Sequence, residues 1–174
     1  MENKEAMGNA WFVKNLKYYK NIDSLFNNIT KTDFKNTAIT SSKKASYLPI
    51  EFKVDDSSVI ELISYKPNYL KYNYKSNYDS FIVFSEMYYP HGWIAKINGE
   101  IVDHYNVNYV LRGLYLSKGQ YNIEFIFDPY VVKLGGYVQI FTIFILITLS
   151  IFSFYSKKIF KWIILLQDNQ FIIR

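Results

Sequence analysis

Nineteen consecutive residues, from Tyr137 to Tyr155, carry no charge, no proline and no glycine. As a helix rising about 1.5 Å per residue, this run spans about 28 Å, close to the hydrocarbon thickness of a bilayer. Tyr137 and Tyr155 bracket it where interfacial aromatics sit, and Lys157, Lys158 and Lys161 follow directly. A core helix of a soluble protein would need cover on every side, and the rest of the chain has little material to supply it. The expectation is a transmembrane helix over 134–156 and a short tail over 157–174. The positive-inside rule places that tail in the cytoplasm and everything before Tyr137 outside. Met1-Glu2-Asn3-Lys4-Glu5 opens the chain without the apolar stretch of a signal peptide. Either the orientation is reversed or the chain is the tail of something longer.

Charge excludes one class of partner. The formal charge of +5 includes +3 from the residues after Lys133, leaving only +2 on the 133 residues before them. No basic stripe runs through that portion, and no strand carries the Lys/Arg-Gly-aromatic pattern of an RNA-reading sheet, so nucleic acid is not an expected partner. The chain has no cysteine, which removes disulfides, thiolate metal sites and cysteine nucleophiles.

The 17 tyrosines and 14 phenylalanines favour strands, where broad rings cover a pleated surface. Residues 1–35 read as a mixed segment with a short helix over 22–29, capped near Asp23 or Ser24. From residue 36 to 130 the pattern is short strands between turn residues. Thr37 to Thr40, Val59 to Tyr65, and Tyr69 to Tyr74 are candidates, the last with Leu70, Tyr72 and Tyr74 on one face. Phe81 to Phe84 is apolar on both faces, as a central strand would be. Trp93 to Ile97 leads into Asn98-Gly99, the strongest short hairpin signal, and returns through Glu100 to Asp103. Tyr109 to Leu116 and Tyr121 to Phe127 complete the set, with Ser117 to Gln120 as their turn. This spacing predicts a membrane-proximal antiparallel β-sandwich or jelly-roll-like domain followed by one transmembrane helix.

No catalytic constellation stands out: there is no phosphate loop, nucleophile elbow or metal-ligand spacing. His91 and His104 are isolated. No catalytic residue, metal site or cofactor is therefore assigned. The densest polar-aromatic cluster is Glu86-Met87-Tyr88-Tyr89-Pro90-His91-Gly92-Trp93. Rings beside a carboxylate can form a sugar-binding face, which makes Glu86, Tyr88, Tyr89 and Trp93 candidate ligand residues. The same run also fits a strand end whose aromatics cap a sandwich. Arg112 is a further candidate, as a ligand contact or as a buried cation paired with Glu86 or Asp103.

Several segments in series match a known pattern. Gly8 to Val13, Ser64 to Asn68, Phe84 to Trp93, Ile97 to Glu100, Asn108 to Gly113 and Gly119 to Pro129 resemble the C-terminal region of the YfhO family of bacterial multi-pass membrane proteins, in its Bacteroidetes-type versions. The resemblance covers nearly the whole chain. It implies an extracytoplasmic β domain and the last membrane helix of a cell-envelope glycosyltransferase that uses a lipid-phosphate sugar donor. The acidic catalytic residue of such enzymes is expected in an early loop that this chain lacks, so no catalytic role carries over. The resemblance also implies that Met1 is an internal position, in a fragment or a split gene product. The partners it implies are the bilayer of the inner membrane, the upstream transmembrane portion and a glycan or lipid-linked sugar. A free-standing anchored module that binds carbohydrate or protein is the alternative.

Overall fold

The computed structural model describes residues 6–170, with side chains through Lys157. Two compact units divide the chain, one ending at Asp128 and the other beginning at Pro129. The first is a β-sandwich. One sheet has the order β1-β6-β10-β9, from Ala10–Val13, Ser80–Met87, Leu111–Leu116 and Tyr105–Val107. The other has the order β4-β5-β11-β7-β8, from Val59–Lys66, Tyr69–Ser76, Gly119–Phe127, Trp93–Ile97 and Glu100–Val102. Every pairing within these two sheets is antiparallel. A separate pair, β2 (Asn15–Tyr18) with β3 (Thr37–Thr40), is parallel.

The core follows the period of the strands. Ile82, Phe84, Leu114 and Leu116 of the first sheet meet Leu70, Tyr72, Tyr74, Ile123 and Phe125 of the second. Their neighbours on β6, Phe81 and Val83, point the opposite way into a second core with Val13, Leu16, Ala38 and Phe52. The N-terminal third thus covers the outer face of the first sheet, which is why Phe81–Phe84 is apolar on both sides.

The expected mixed segment over 1–35 is not separate from the sandwich, because β1 lies within it and pairs with β6. Its helix, α1, is shorter than expected, Ile22–Phe26, with Asp23 and Ser24 in the first turn, near the cap as expected. Asn21 supplies the cap, its side-chain oxygen accepting from the Ser24 amide at 2.8 Å. Asn98 and Gly99 form the expected hairpin turn with φ of 50° and 92°. The expected strand from Tyr109 is broken at its start. Asn108 and Tyr109 have φ of 51° and 73° and turn β9 into β10.

The second unit is α2, Tyr130–Gln170. It starts four residues before the expected boundary and continues as helix past 156, where a tail was expected. Residues 130–157 have a mean hydropathy of 2.1 over the most apolar window and are long enough to cross a membrane.

Candidate functional site

The site is built on a bulge. Leu111 pairs with Met87 but Arg112 pairs with Phe84, so Ser85 and Glu86 are extra residues on β6. Arg112 shares its face of β10 with Leu114 and projects between the sheets, where it is fully buried. Its guanidinium lies 4.6 Å from the Trp93 ring centre and 4.4 Å from that of Phe125. Nη2 donates to the Met87 carbonyl at 3.0 Å.

Neither expected ion pair forms. Asp103 instead accepts from Lys44 Nζ at 2.8 Å on the surface. Glu86, half-buried at the bulge, acts on Arg112 through space only. Burial lowers the Arg112 pKa to about 10, against the opposing pull of Glu86 and Tyr72. The side chain therefore stays a cation at neutral pH, held mainly by aromatic faces.

Two further groups belong to this cluster, the buried Tyr72 and the half-buried His104, whose Nε2 is itself out of reach of solvent. Tyr72 packs edge-on against Phe84 at 5.0 Å and Phe125 at 6.3 Å. Burial, then the charge of Glu86, raises its phenol pKa. His104 sits 5.2 Å from the Tyr88 ring and 6.1 Å from Phe125, and burial followed by the charge of Arg112 lowers its pKa to about 4. Arg112 Nε and Nη1, Tyr72 Oη and His104 Nε2 are all buried without a hydrogen-bond partner, four of the five such side-chain atoms among the described residues. A cluster this rich in unmatched polar atoms is costly, so it is the place where ligand chemistry is to be sought.

Of the five residues the sequence singles out, Glu86, Tyr88, Trp93 and Arg112 gather around this cluster. Tyr89 does not. Its ring turns outward beside His91, at 5.8 Å, and lies tilted to Phe127 at 6.4 Å. Trp93 is half-buried rather than an open stacking platform, with Phe127 5.2 Å away on its other contact. Gly92 is needed here because the Phe127 ring occupies the space where a Cβ would stand. Sequence reasoning missed His104, read as isolated, and Tyr72, read only as core. The alternation of Leu70, Tyr72 and Tyr74 marks Tyr72 as inward-facing, but nothing local marks it as lying beside a cation. An open depression of about 440 Å³ lies elsewhere, lined by residues including Ile97, Asn98, Glu100, Tyr115 and Tyr121, and shares none of the five. Among the described residues no three His, Asp or Glu side chains converge in a way that could hold a metal.

Comparison with protein-family models, with curated proteins and with solved structures returned no match.

Proposed function

We propose that the chain is the extracytoplasmic accessory domain and last membrane helix of a YfhO-like cell-envelope glycosyltransferase, without transfer activity of its own. One observation carries this reading. The segments that resemble the family, Phe84 to Trp93 and Asn108 to Gly113, build a single buried cage. Met87 accepts from Arg112, Trp93 covers it, and the Tyr88 amide donates to the Val110 carbonyl at 2.8 Å. Signature residues spent on each other fit a structural role better than a contact with donor or acceptor. In this reading the sandwich is outside the bacterial inner membrane and the C-terminus is cytoplasmic, as Lys157, Lys158 and Lys161 favour.

The second reading is an anchored carbohydrate-binding module. Tyr89 favours it, being 47% exposed beside the half-buried Trp93. A shallow site of that kind would bind a saccharide only weakly.

The test uses the purified full chain in detergent, a polyprenyl-phosphate sugar donor carrying label, and envelope polysaccharide as acceptor. Background-level transfer is expected, together with co-purification of the chain with a co-expressed YfhO-like transmembrane portion. Turnover above background that disappears in Glu86→Gln would make this domain catalytic and overturn the accessory reading. Saccharide affinity lost in Tyr89→Ala, without co-purification, would favour the binding module.

A further inference from the structure

The two ends of the sandwich differ in kind. At one end the chain turns through Asn77, Tyr78 and Asp79, Asn98 and Gly99, and Ser117 and Lys118; apart from the half-buried Tyr78, these are exposed and polar or glycine. Val59, paired with Lys75, is a large apolar side chain exposed there. Register fixes the composition of the opposite end. β6 finishes at Met87 beside Leu111, after the turn through Tyr109 and Val110. β11 finishes at Phe127, paired with Trp93, and the Phe127 amide donates to Asn68 in the turn between β4 and β5. That end exposes Met87 at 68%, Tyr65 at 64%, Val110 at 45% and Tyr109 at 43%, as well as Tyr89. Phe26, also exposed, extends the patch from the ring of Tyr109, 5.6 Å away.

The chain leaves the sandwich at this same end. Phe127 is the last residue of β11, the Asp128 amide donates to the Gly92 carbonyl at 2.7 Å, and α2 begins at Tyr130. Nine residues, Asp128 to Gly136, separate Phe127 from the charge-free stretch that opens at Tyr137, so the connection is short. If α2 crosses a membrane, this short connection tethers the end of the sandwich that carries the patch close to where the chain enters the lipid headgroups. Tyrosine, methionine and valine side chains suit that boundary, since tyrosine presents an apolar ring and a wet hydroxyl. The same side chains in open water would be an aggregation hazard.

We infer that the end of the sandwich bearing Tyr65, Met87, Tyr89, Tyr109 and Val110 is a lipid-contact surface that beds into the headgroup region of the bilayer. The inference rests on the reading of α2 as a transmembrane helix, and its test separates the two. The natural sequence has no cysteine, so single spin labels can be placed without background. Labels go on Tyr65→Cys, Tyr89→Cys and Tyr109→Cys at one end, Asn77→Cys and Lys118→Cys at the other, and Ile145→Cys in α2. The full chain is reconstituted into vesicles of phosphatidylcholine and phosphatidylglycerol. Collision with oxygen, which concentrates in lipid, is compared with collision with a water-soluble nickel chelate. The expected result is an oxygen-to-nickel ratio several-fold higher at positions 65, 89 and 109 than at 77 and 118, and higher still at 145. Water-like ratios at 65, 89 and 109 with position 145 in lipid would overturn the surface and leave the helix reading intact. Shielding from both reagents would mean a protein partner or a second copy covers the patch, which also overturns it. A water-exposed position 145 removes the helix reading and this inference with it.

Discussion

The guanidinium of Arg112 lies 4.6 Å from the ring centre of Trp93, and this contact takes the place of a counter-ion. A desolvated cation over an indole gains about 2 kcal/mol, and its bond to Met87 adds about another 1.5–3. Burying a cation without an ion pair costs several kcal/mol, and Nε and Nη1 remain unmatched. The two sides nearly cancel, so the charge contributes little to stability while the volume contributes much. Arg112→Met should therefore keep the fold, with stability within about 1 kcal/mol of the parent or above it. Trp93→Ala removes the half-buried lid and should cost about 2–4 kcal/mol. Urea midpoints of the full chain in detergent check both. A loss beyond about 3 kcal/mol in Arg112→Met would show that the cation is needed in the fold.

His104 gives the cage a pH dependence. Its folded pKa of about 4 is below the unfolded value of about 6.5, so only the unfolded chain gains a proton between them. The stability linked to the neutral ring is complete above about pH 6.5 and is lost as pH falls toward 4. Partial exposure of the ring limits the effect to about 1–2 kcal/mol. In His104→Phe, which keeps an aromatic ring beside Tyr88 and Phe125, the drop in stability between pH 7 and 4.5 should shrink by that amount. Asp33 and Asp55, whose pKa values are lowered chiefly by the Asn36 side chain and the Ser58 hydroxyl, add an acid sensitivity common to both proteins. Equal pH slopes in parent and variant would mean that the imidazole is solvated.

What the sequence reveals of this fold is what local chemistry decides. Asn98-Gly99 announces its turn because both residues tolerate positive φ. Leu70, Tyr72 and Tyr74 announce their buried face by alternation. The turn at Asn108 and Tyr109 has no such signature, since a tyrosine rarely adopts a left-handed backbone. Distant groups impose it: the Asn108 amide donates to the Ile39 carbonyl at 2.8 Å, and its side-chain oxygen accepts from the Ile39 amide at 3.0 Å. Arg112 is hidden for a similar reason. A lone Arg in an apolar strand implies a carboxylate partner, and only the assembled sandwich brings two aromatic rings to it instead. The apolar character of both faces of Phe81–Phe84 was legible, but the N-terminal strands, β1 that extends this sheet and β2 that helps cover its outer face, were not. At four residues each, β1 and β2 are too short to show a period.

The hairpin at Asn98 and Gly99 is bonded as well as shaped. The Asn98 side-chain oxygen accepts from the Asn122 amide at 2.9 Å, and the Asn98 amide donates to the Asn122 carbonyl at 2.9 Å. Asn98→Val with Gly99→Val places two β-branched residues at positive φ and removes the first of these bonds. A loss of about 2–4 kcal/mol is expected from strain and the missing bond together. Asn98→Asp with Gly99 retained should stay within about 1 kcal/mol, because aspartate tolerates the same backbone and keeps an acceptor. Denaturant midpoints unchanged in the double variant would mean that the turn does not constrain the sandwich.

Three of the polar residues within the apolar stretch of α2 bear on whether it can live in lipid. Thr142, Thr148 and Ser150 donate their hydroxyls to the carbonyls of Val138, Phe144 and Leu146, at 2.9, 2.8 and 2.8 Å. Each bond is made four residues back within the helix, so none of these hydroxyls needs water or a second helix as partner. These three residues can then transfer into hydrocarbon with their hydroxyl bonds intact. A charge placed at the middle of the stretch cannot be satisfied this way. Ile145→Arg should cost about 2.5–3.5 kcal/mol of insertion free energy, roughly a hundredfold shift toward the uninserted form. Ile145→Leu should leave insertion unchanged. Expressed in bacteria, the parent chain and Ile145→Leu should remain in the membrane pellet after alkaline carbonate extraction, while a growing share of Ile145→Arg is released. Equal behaviour of Ile145→Arg and the parent, both found as soluble monomers, would show that this helix does not cross a bilayer.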